Sequence, residues 1–561
     1  MPAPTYTLVR NEIVLKCDTE ESVACAELIS LKDRNGTMHS EWWGHPSVTS
    51  KVDGSTVISV PSNVHNLALI HRCGATPDRT DLNTKQRLSF FLSSKKEFKT
   101  DFPLMPFQNE GAETLVRGDL RRILSFPMGL GKTITAMAAL MSDQERYLPA
   151  IIIAPAHVKL NWATEWEKWG GNPDDVSVLF GVTPSRIALR DKKLIVLNHH
   201  ILKGWLKELS DINPKTLIID EAHNFVNSTS KTYPLAEALA KACGRRVLLL
   251  TATPLVNHLG DLWGLTTLIC GDILGTKKNF TDTFMPEEKA KARMFASRWR
   301  GGFVKTGWRE VAMAKLPKAV MEKRISELGN ILRKHVILHV RKEDVLTQLP
   351  DVTETNLRIE IPDTTPEGRK FWEMEEECEL AISEAKDDIL ASDKMLPAFS
   401  NARRNSAFAK IPHAIAWLED FLEESDDTEK VVVVGWSVEP LEQLQKHFCK
   451  SSLLINGTID ARKKKERGDQ FFSDPKKRIL FGNIKSIGTG VDTLVAARTM
   501  LFIELPLTSV DFEQVKGRID RLSQISKALA YYIMTIKGSL EEKMIWKIIR
   551  TKKKITNQLG F

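Results

Sequence analysis

The sequence predicts an α/β protein built on two parallel-sheet lobes, with helical insertions and a small β-rich accessory domain at the N-terminus. Three observations carry this. Continuous Val/Ile/Leu runs alternate with helical stretches over residues 100–270, and a second such series follows residue 425. Neither series alternates apolar with polar residues, as expected of strands buried on both faces of a parallel sheet. At 561 residues the chain is also too long for one ordinary core, which suggests roughly three or four domains.

Taken in order, residues 1–95 carry short β-rich pieces (YTLVRNEIVLKC, STVISVPS) split by the turn-forming DRNG and VDGS, and are assigned to the accessory domain. Residues 96–270 form the first lobe, with strands expected at RRILSF, AIIIAPA, LIVLN, TLIIDEAH and RVLLLTATP. Residues 271–425, rich in charge and tryptophan, are assigned to a mainly helical insertion and linker region. Residues 426–561 form the second lobe, with strands at KVVVVGWS, SLLIN, RILFGN, TMLFIEL and LAYYIMTI and a basic terminal helix at KIIRTKKKITNQ. There is no internal repeat or long low-complexity segment.

Composition narrows the class. Hydrophobic residues at 42% and charged residues at 27% are those of a folded globular chain. The formal charge of +8, from 79 basic and 71 acidic residues, is compatible with nucleic-acid binding, and the basic residues cluster at 459–467, at 475–478 and near the C-terminus. Seven cysteines (Cys17, Cys25, Cys73, Cys243, Cys270, Cys378, Cys449) stand singly with no CxxC, so neither a zinc site nor a disulfide framework is indicated. A reducing compartment fits best. The N-terminus lacks an apolar leader core, and the longest apolar runs fall far short of the ~20 residues a membrane span requires. The expectation is a cytoplasmic monomer, associated with the nucleoid or an infected cell if bacterial or phage-borne, nuclear if eukaryotic, with no membrane partner and unknown protein partners.

The chemistry begins at FPMGLGKT, residues 126–133, between a strand and a helix. Gly129 and Gly131 let backbone N–H groups turn towards phosphate oxygens, and the following helix presents its positive end to the same anion. The strict phosphate-loop pattern would place glycine where this chain has Phe126, so the loop alone does not decide. Its companion is TLIIDEAH, 216–223, where Asp220 and Glu221 end a strand at the sheet edge that binds ligands in open α/β folds. Lys132 would meet the β- and γ-phosphates of ATP, Thr133 would coordinate Mg²⁺ directly and Asp220 would hold it through water. Glu221 would orient the attacking water.

Through these residues the chain resembles the superfamily-two helicase-like ATPases, in particular the Swi/Snf-type branch, whose two lobes are RecA-like. The resemblance runs in order through residues 106–545. PFQNEG with Gln108 is similar to the adenine-reading Q motif, MGLGKT to motif I, IIIAPAHVKLNWATEWEKW to motif Ia, DEAH to motif II and LLLTATPLVNH to motif III. ILHVRKEDVLTQLP resembles the branch's linker segment and SAFAKIPHAIAWLEDFL its entry to the second lobe. VVVVGWS, INGTIDARKKKERGDQFF and SIGTGVDTL resemble motifs IV to V, and QVKGRIDRLSQ resembles motif VI. The resemblance implies that Thr251 and Thr253 couple the nucleotide site to DNA, and that Gly490 and Asp492 lie near the ribose and the tracking strand. Asn161, Trp162, Trp166 and Trp169 are assigned to packing and left out of the site.

Motif VI also makes physical sense by itself. Hydrolysis spreads negative charge over the γ-phosphoryl oxygens, and cations aimed there stabilise the transition state. Arg518 and Arg521 stand at i and i+3, on one face of an expected helix. Arg521 is assigned as the finger and Arg518 as its partner, supplied by the second lobe to a site anchored in the first. The chain departs from the branch at Phe126-Pro127 in place of an acidic pair, at Ala252 of motif III, at His339-Val340 in the linker and at Leu522-Ser523 of motif VI. None of these removes a hydrolytic group.

By its MGLGKT, KxDVLxQLP and terminal patterns together with its brevity, the chain looks most like the HARP-type annealing helicases and their compact bacterial or phage counterparts. The implied function is an ATP- and Mg²⁺-dependent motor on double-stranded or branched DNA, coupling hydrolysis to fork or branch migration and strand annealing. A strand-separating DNA or RNA helicase, or a nucleotide-gated clamp without turnover, remain as alternatives.

Overall fold

A computed structural model describes most of residues 98–546, except 157, 229, 256–258, 272, 286–317, 346–350, 388–391, 488–492, 507 and 521–527. Before residue 98 it describes strand backbone and Tyr6, and beyond 546 only residues 555, 556 and 559. Of the basic C-terminal helix expected at 547–558, only residues 555 and 556 are described, and both are helical; the rest lies outside the described residues. Two compact units emerge: Met1–Phe126, Gly131–Val340 and Gln558–Phe561 in the first, Pro127–Leu130 and Arg341–Asn557 in the second.

The N-terminal region is β-rich, as expected. Strands Ser47–Ser50, Thr56–Pro61, Glu12–Cys17, Thr5–Val9 and Thr76–Pro77 lie side by side in one sheet. The first four pair antiparallel, which short connections permit.

The main sheet of the first unit has seven strands: β1 (Arg122–Ser125), β2 (Ala150–Ile153), β3 (Val176–Val178), β4 (Leu194–Leu197), β5 (Thr216–Asp220), β6 (Val247–Leu250) and β7 (Ile337–His339). Their order is β3-β4-β2-β5-β6-β1-β7, and every pairing is parallel. All residues of β2, β4, β5 and β6 are buried, because helices cover both faces. Each such Ile, Leu or Val contributes about 1.5–3 kcal/mol by leaving water. Helices α1 (Pro106–Arg117), α2 (Lys132–Met141) and α3 (Lys159–Lys168) supply side chains to the site. Pro106 opens α1, where its missing N–H costs nothing.

The second unit holds β8 (Asp351–Ile359), β9 (Val431–Gly435), β10 (Ser452–Ile455), β11 (Ile479–Asn483), β12 (Thr499–Phe502) and β13 (Ala528–Ile536), ordered β8-β13-β12-β9-β11-β10 and again wholly parallel. Helices α4 (Pro366–Asp387) and α5 (Ser392–Glu424) precede β9. Charge is buried beneath them. Lys410, wholly enclosed, pairs with Glu541 and donates to the Ile503 carbonyl at 2.9 Å. Glu504 accepts from the backbone N–H groups of Trp436 and Ser437 at 2.8 and 2.7 Å, and Glu375 from that of Leu540 at 2.7 Å.

The stretch 271–425 is helical at Lys277–Phe284, Lys318–His335, α4 and α5, but it also contains β7 and β8. Each is an added strand of one main sheet. Among the described residues, no helix is long and apolar enough to cross a membrane.

Candidate functional site

The loop between β1 and α2 turns through two left-handed glycines. Gly129 and Gly131 adopt φ of 80° and 78°, a left-handed conformation that glycine enters without steric cost. Phe126, at the position where the strict pattern has glycine, is fully buried and turned away from the loop. Its ring lies 5.8 Å from that of Phe107 and against Gly111, so it serves as core beneath the cradle. Lys132 donates its Nζ to the Phe126 carbonyl at 3.0 Å, and half-buried Thr133 follows it in the first turn of α2.

Gln108 comes from α1. Its Oε1 accepts the Met105 N–H at 3.0 Å, capping the helix, and its Nε2 lies over Gly131. The residue assigned to reading adenine thus also braces the loop.

Asp220 ends β5 at the C-terminal edge of the sheet and is 9% exposed. Both of its oxygens are engaged: Oδ1 accepts the Glu221 N–H at 2.9 Å and Oδ2 the Trp162 indole N–H at 3.0 Å. Burial, and then the adjoining Glu221 carboxylate, push this acid up to about 6; the Trp162 bond and the Lys132 charge act in the other direction. Trp162 sits on α3 and is fully buried. Packing alone does not account for it, so the assignment of this tryptophan as core only is incomplete.

Glu221 is held at φ 50° and ψ 52°, a left-handed conformation uncommon outside glycine and often found at functional sites. Its Oε2 lies 3.1 Å from His223 Nδ1. That nitrogen is 3.4 Å from Thr251 Oγ1, which in turn accepts the Thr253 N–H at 3.2 Å. Motifs II and III are therefore joined through His223, a residue the sequence offered only as the last letter of DEAH.

In the second unit, α6 (Ser509–Lys516) stops short of Arg518. Gly517 closes the helix, its N–H bonding to the Glu513 carbonyl at 2.9 Å, and Arg518 lies buried in the turn beyond. Arg518 thus lies past the end of the helix, in a turn, rather than on a helix face. Arg521, Gly490 and Asp492 lie outside the described residues. Lys342, from the linker segment, pairs with Asp520 and donates to its backbone carbonyl at 2.8 Å, anchoring this turn.

A parallel sheet with a glycine loop after its first strand, and an acidic pair at the end of the strand next but one to it, defines the phosphate-loop class of α/β proteins. Within that class, the SNF2-related domain matches residues 107–403, more than half of the chain, and the chain belongs to that family. The DNA annealing helicase and endonuclease ZRANB3 of Bos taurus is 24% identical over 81% of this chain and 40% of its own length. An uncharacterized ATP-dependent helicase of Mycoplasma pneumoniae is 24% identical over 80% of this chain and 41% of its own. The chain spans about 40% of the length of these curated relatives. The solved Sulfolobus solfataricus SWI2/SNF2 ATPase core in complex with dsDNA is 19% identical, covering 84% of this chain and 95% of that chain, with a TM-score of 0.35.

Proposed function

We propose that this protein is an ATP-hydrolysing translocase that moves along double-stranded DNA and remodels forks or branches, reannealing strands as it goes. The observation that carries the reading is the Asp220-Glu221 pair at the end of β5, with the charge of Lys132 acting on Asp220, in a chain of the SNF2-related family. The relative named as a DNA annealing helicase supports the choice of substrate.

The donor set suits magnesium, with hard oxygens from Asp220 and Thr133 and no soft ligand, since this ion takes few protein ligands and completes its shell with phosphates and water. When bound, it supplies charge neutralisation across the β- and γ-phosphates. The chain's own residues do the rest. N–H groups of the loop and of the start of α2 hold the phosphates, Lys132 binds the terminal ones, and Gln108 reads the base. Glu221 orients water for in-line attack and accepts its proton. Arg518 and Arg521 balance the charge that develops on the γ-phosphoryl group, while Gly490 and Asp492 serve the ribose and the tracking strand. Thr251 and Thr253 transmit the state of Glu221 through His223. Contacts to DNA fall mainly on phosphates, so affinity drops steeply with salt and depends little on sequence.

The test is ATP hydrolysis by wild type and Glu221→Gln with duplex DNA, single-stranded DNA and RNA. Duplex DNA should stimulate the wild type most, and Glu221→Gln should lose about 10²–10⁴-fold in rate while still binding nucleotide. Background hydrolysis with duplex DNA overturns the motor; stronger stimulation by single strands or RNA turns the reading to a strand-separating helicase.

A further inference from the structure

We infer that Trp162 is a positioning residue for the metal-binding side of the nucleotide site. It acts through Asp220, and the inference rests on the reading of Asp220 as the magnesium-side carboxylate. Three tryptophans stand close together on this stretch, and their indole N–H groups are used differently. Trp166 donates to the Asn172 carbonyl and Trp169 to Glu165, each within its own helix or the turn just after it. Trp162 instead reaches 58 positions along the chain to Asp220 Oδ2, at 3.0 Å and fully buried. With Glu221 N–H on Oδ1 at 2.9 Å, two donors on different elements pin the plane of one carboxylate. The lone pairs left over then point in fixed directions. An outer partner of this kind orients a metal-facing acid, and losing one typically costs 10–100-fold in metal affinity or activity. Trp162 is held in turn by the packing of α3 on the sheet, so the orientation is set before nucleotide arrives.

The experiment uses the full chain and titrates a fluorescent ATP analogue at a series of Mg²⁺ concentrations. Trp162→Phe keeps an aromatic ring in the core and removes the N–H together with the second ring of the indole. It should bind the analogue without metal as wild type does, yet need on the order of tenfold more Mg²⁺ to reach the metal-dependent tightening. Asp220→Asn should shift the same midpoint, and adding Trp162→Phe to it should shift it no further. An unchanged Mg²⁺ midpoint in Trp162→Phe, with Asp220→Asn shifted, overturns the role of Trp162 alone; no shift in either overturns the assignment of Asp220 itself. A full additional shift in the double variant also overturns the role, since Trp162 would then act independently. Should Trp162→Phe melt below the titration temperature, wild type labelled with ¹⁵N at tryptophan decides. The Trp162 indole signal should move when Mg²⁺ joins bound ATP, and a signal that stays in place overturns the inference.

Discussion

Gly131 lies directly beneath the side chain of Gln108: a Cβ at Gly131 would fall 2.4 Å from Gln108 Nε2. The backbone there is also left-handed, at φ 78° and ψ 40°, which costs a non-glycine residue roughly 1–2 kcal/mol. Gly131→Ala should therefore push Gln108 off the loop and distort the cradle. Nucleotide affinity, measured by titration with a fluorescent ATP analogue, is expected to fall about tenfold or more, the equivalent of roughly 1.4 kcal/mol.

Thr251 occupies the junction between motifs II and III. Its hydroxyl, fully buried, meets both His223 and the Thr253 backbone. Thr251→Val preserves the volume and deletes the hydroxyl, leaving the Thr253 N–H without that acceptor, at a cost of about 1–3 kcal/mol. The expected outcome is wild-type nucleotide binding with DNA-stimulated hydrolysis reduced on the order of tenfold. Comparing hydrolysis rates with and without duplex DNA checks it.

Glu375 provides a pH dependence. Burial lifts this acid from its ordinary 4.5 to about 7 in the folded chain, with Glu541 and Glu379 adding to the rise. Folding therefore takes up a proton between about pH 4.5 and 7, and stability is lost as pH rises through that window. Glu375→Gln, which mimics the protonated acid, should melt higher than wild type at pH 8 and close to it at pH 5. Thermal melts at the two pH values decide.

Lys410 and Glu541 form an ion pair with almost no solvent exposure. Such a pair adds little stability over an apolar one, but removing one partner strands a charge. Lys410→Met should destabilise the second unit by about 3–5 kcal/mol, read from hydrogen exchange of the β9 amides. Adding Glu541→Gln should recover part of the loss.

Much of this molecule could be read from its residues, and the exceptions share a cause. The strands at RILS, AIII, LIVL, TLIID and VLLL, and their five counterparts in the second unit, are legible because each is an apolar run, most of them buried along nearly their whole length. β3, β7 and β8 were not: the first two are only three residues long, and DVTETNLRI of β8 is largely polar and half-exposed. All three lie at sheet edges, where one flank needs no apolar cover. In the site, Phe126 looked like a flaw in a phosphate pattern because the sequence cannot show that its ring turns into the core. Trp162 was missed because its partner lies far along the chain, and a tryptophan in a helix looks the same whether it only packs or also donates. For Arg518 a signal was present, since Gly517 before it is a common helix terminator.

The pairing of Ile337, Leu338 and His339 with Ile123, Leu124 and Ser125 has a bearing on how the chain must be made. His339 Nδ1 meets the Ser125 carbonyl oxygen at 2.8 Å across 214 sequence positions. During synthesis at about 5–20 residues per second, the outer flank of the phosphate-loop strand waits roughly 10–40 s for its cover. A fragment cut at residue 270 would never receive it and would present a bare row of amides and carbonyls, a template for self-association. Fragments of the first lobe meant to stay dispersed need to run through residue 340.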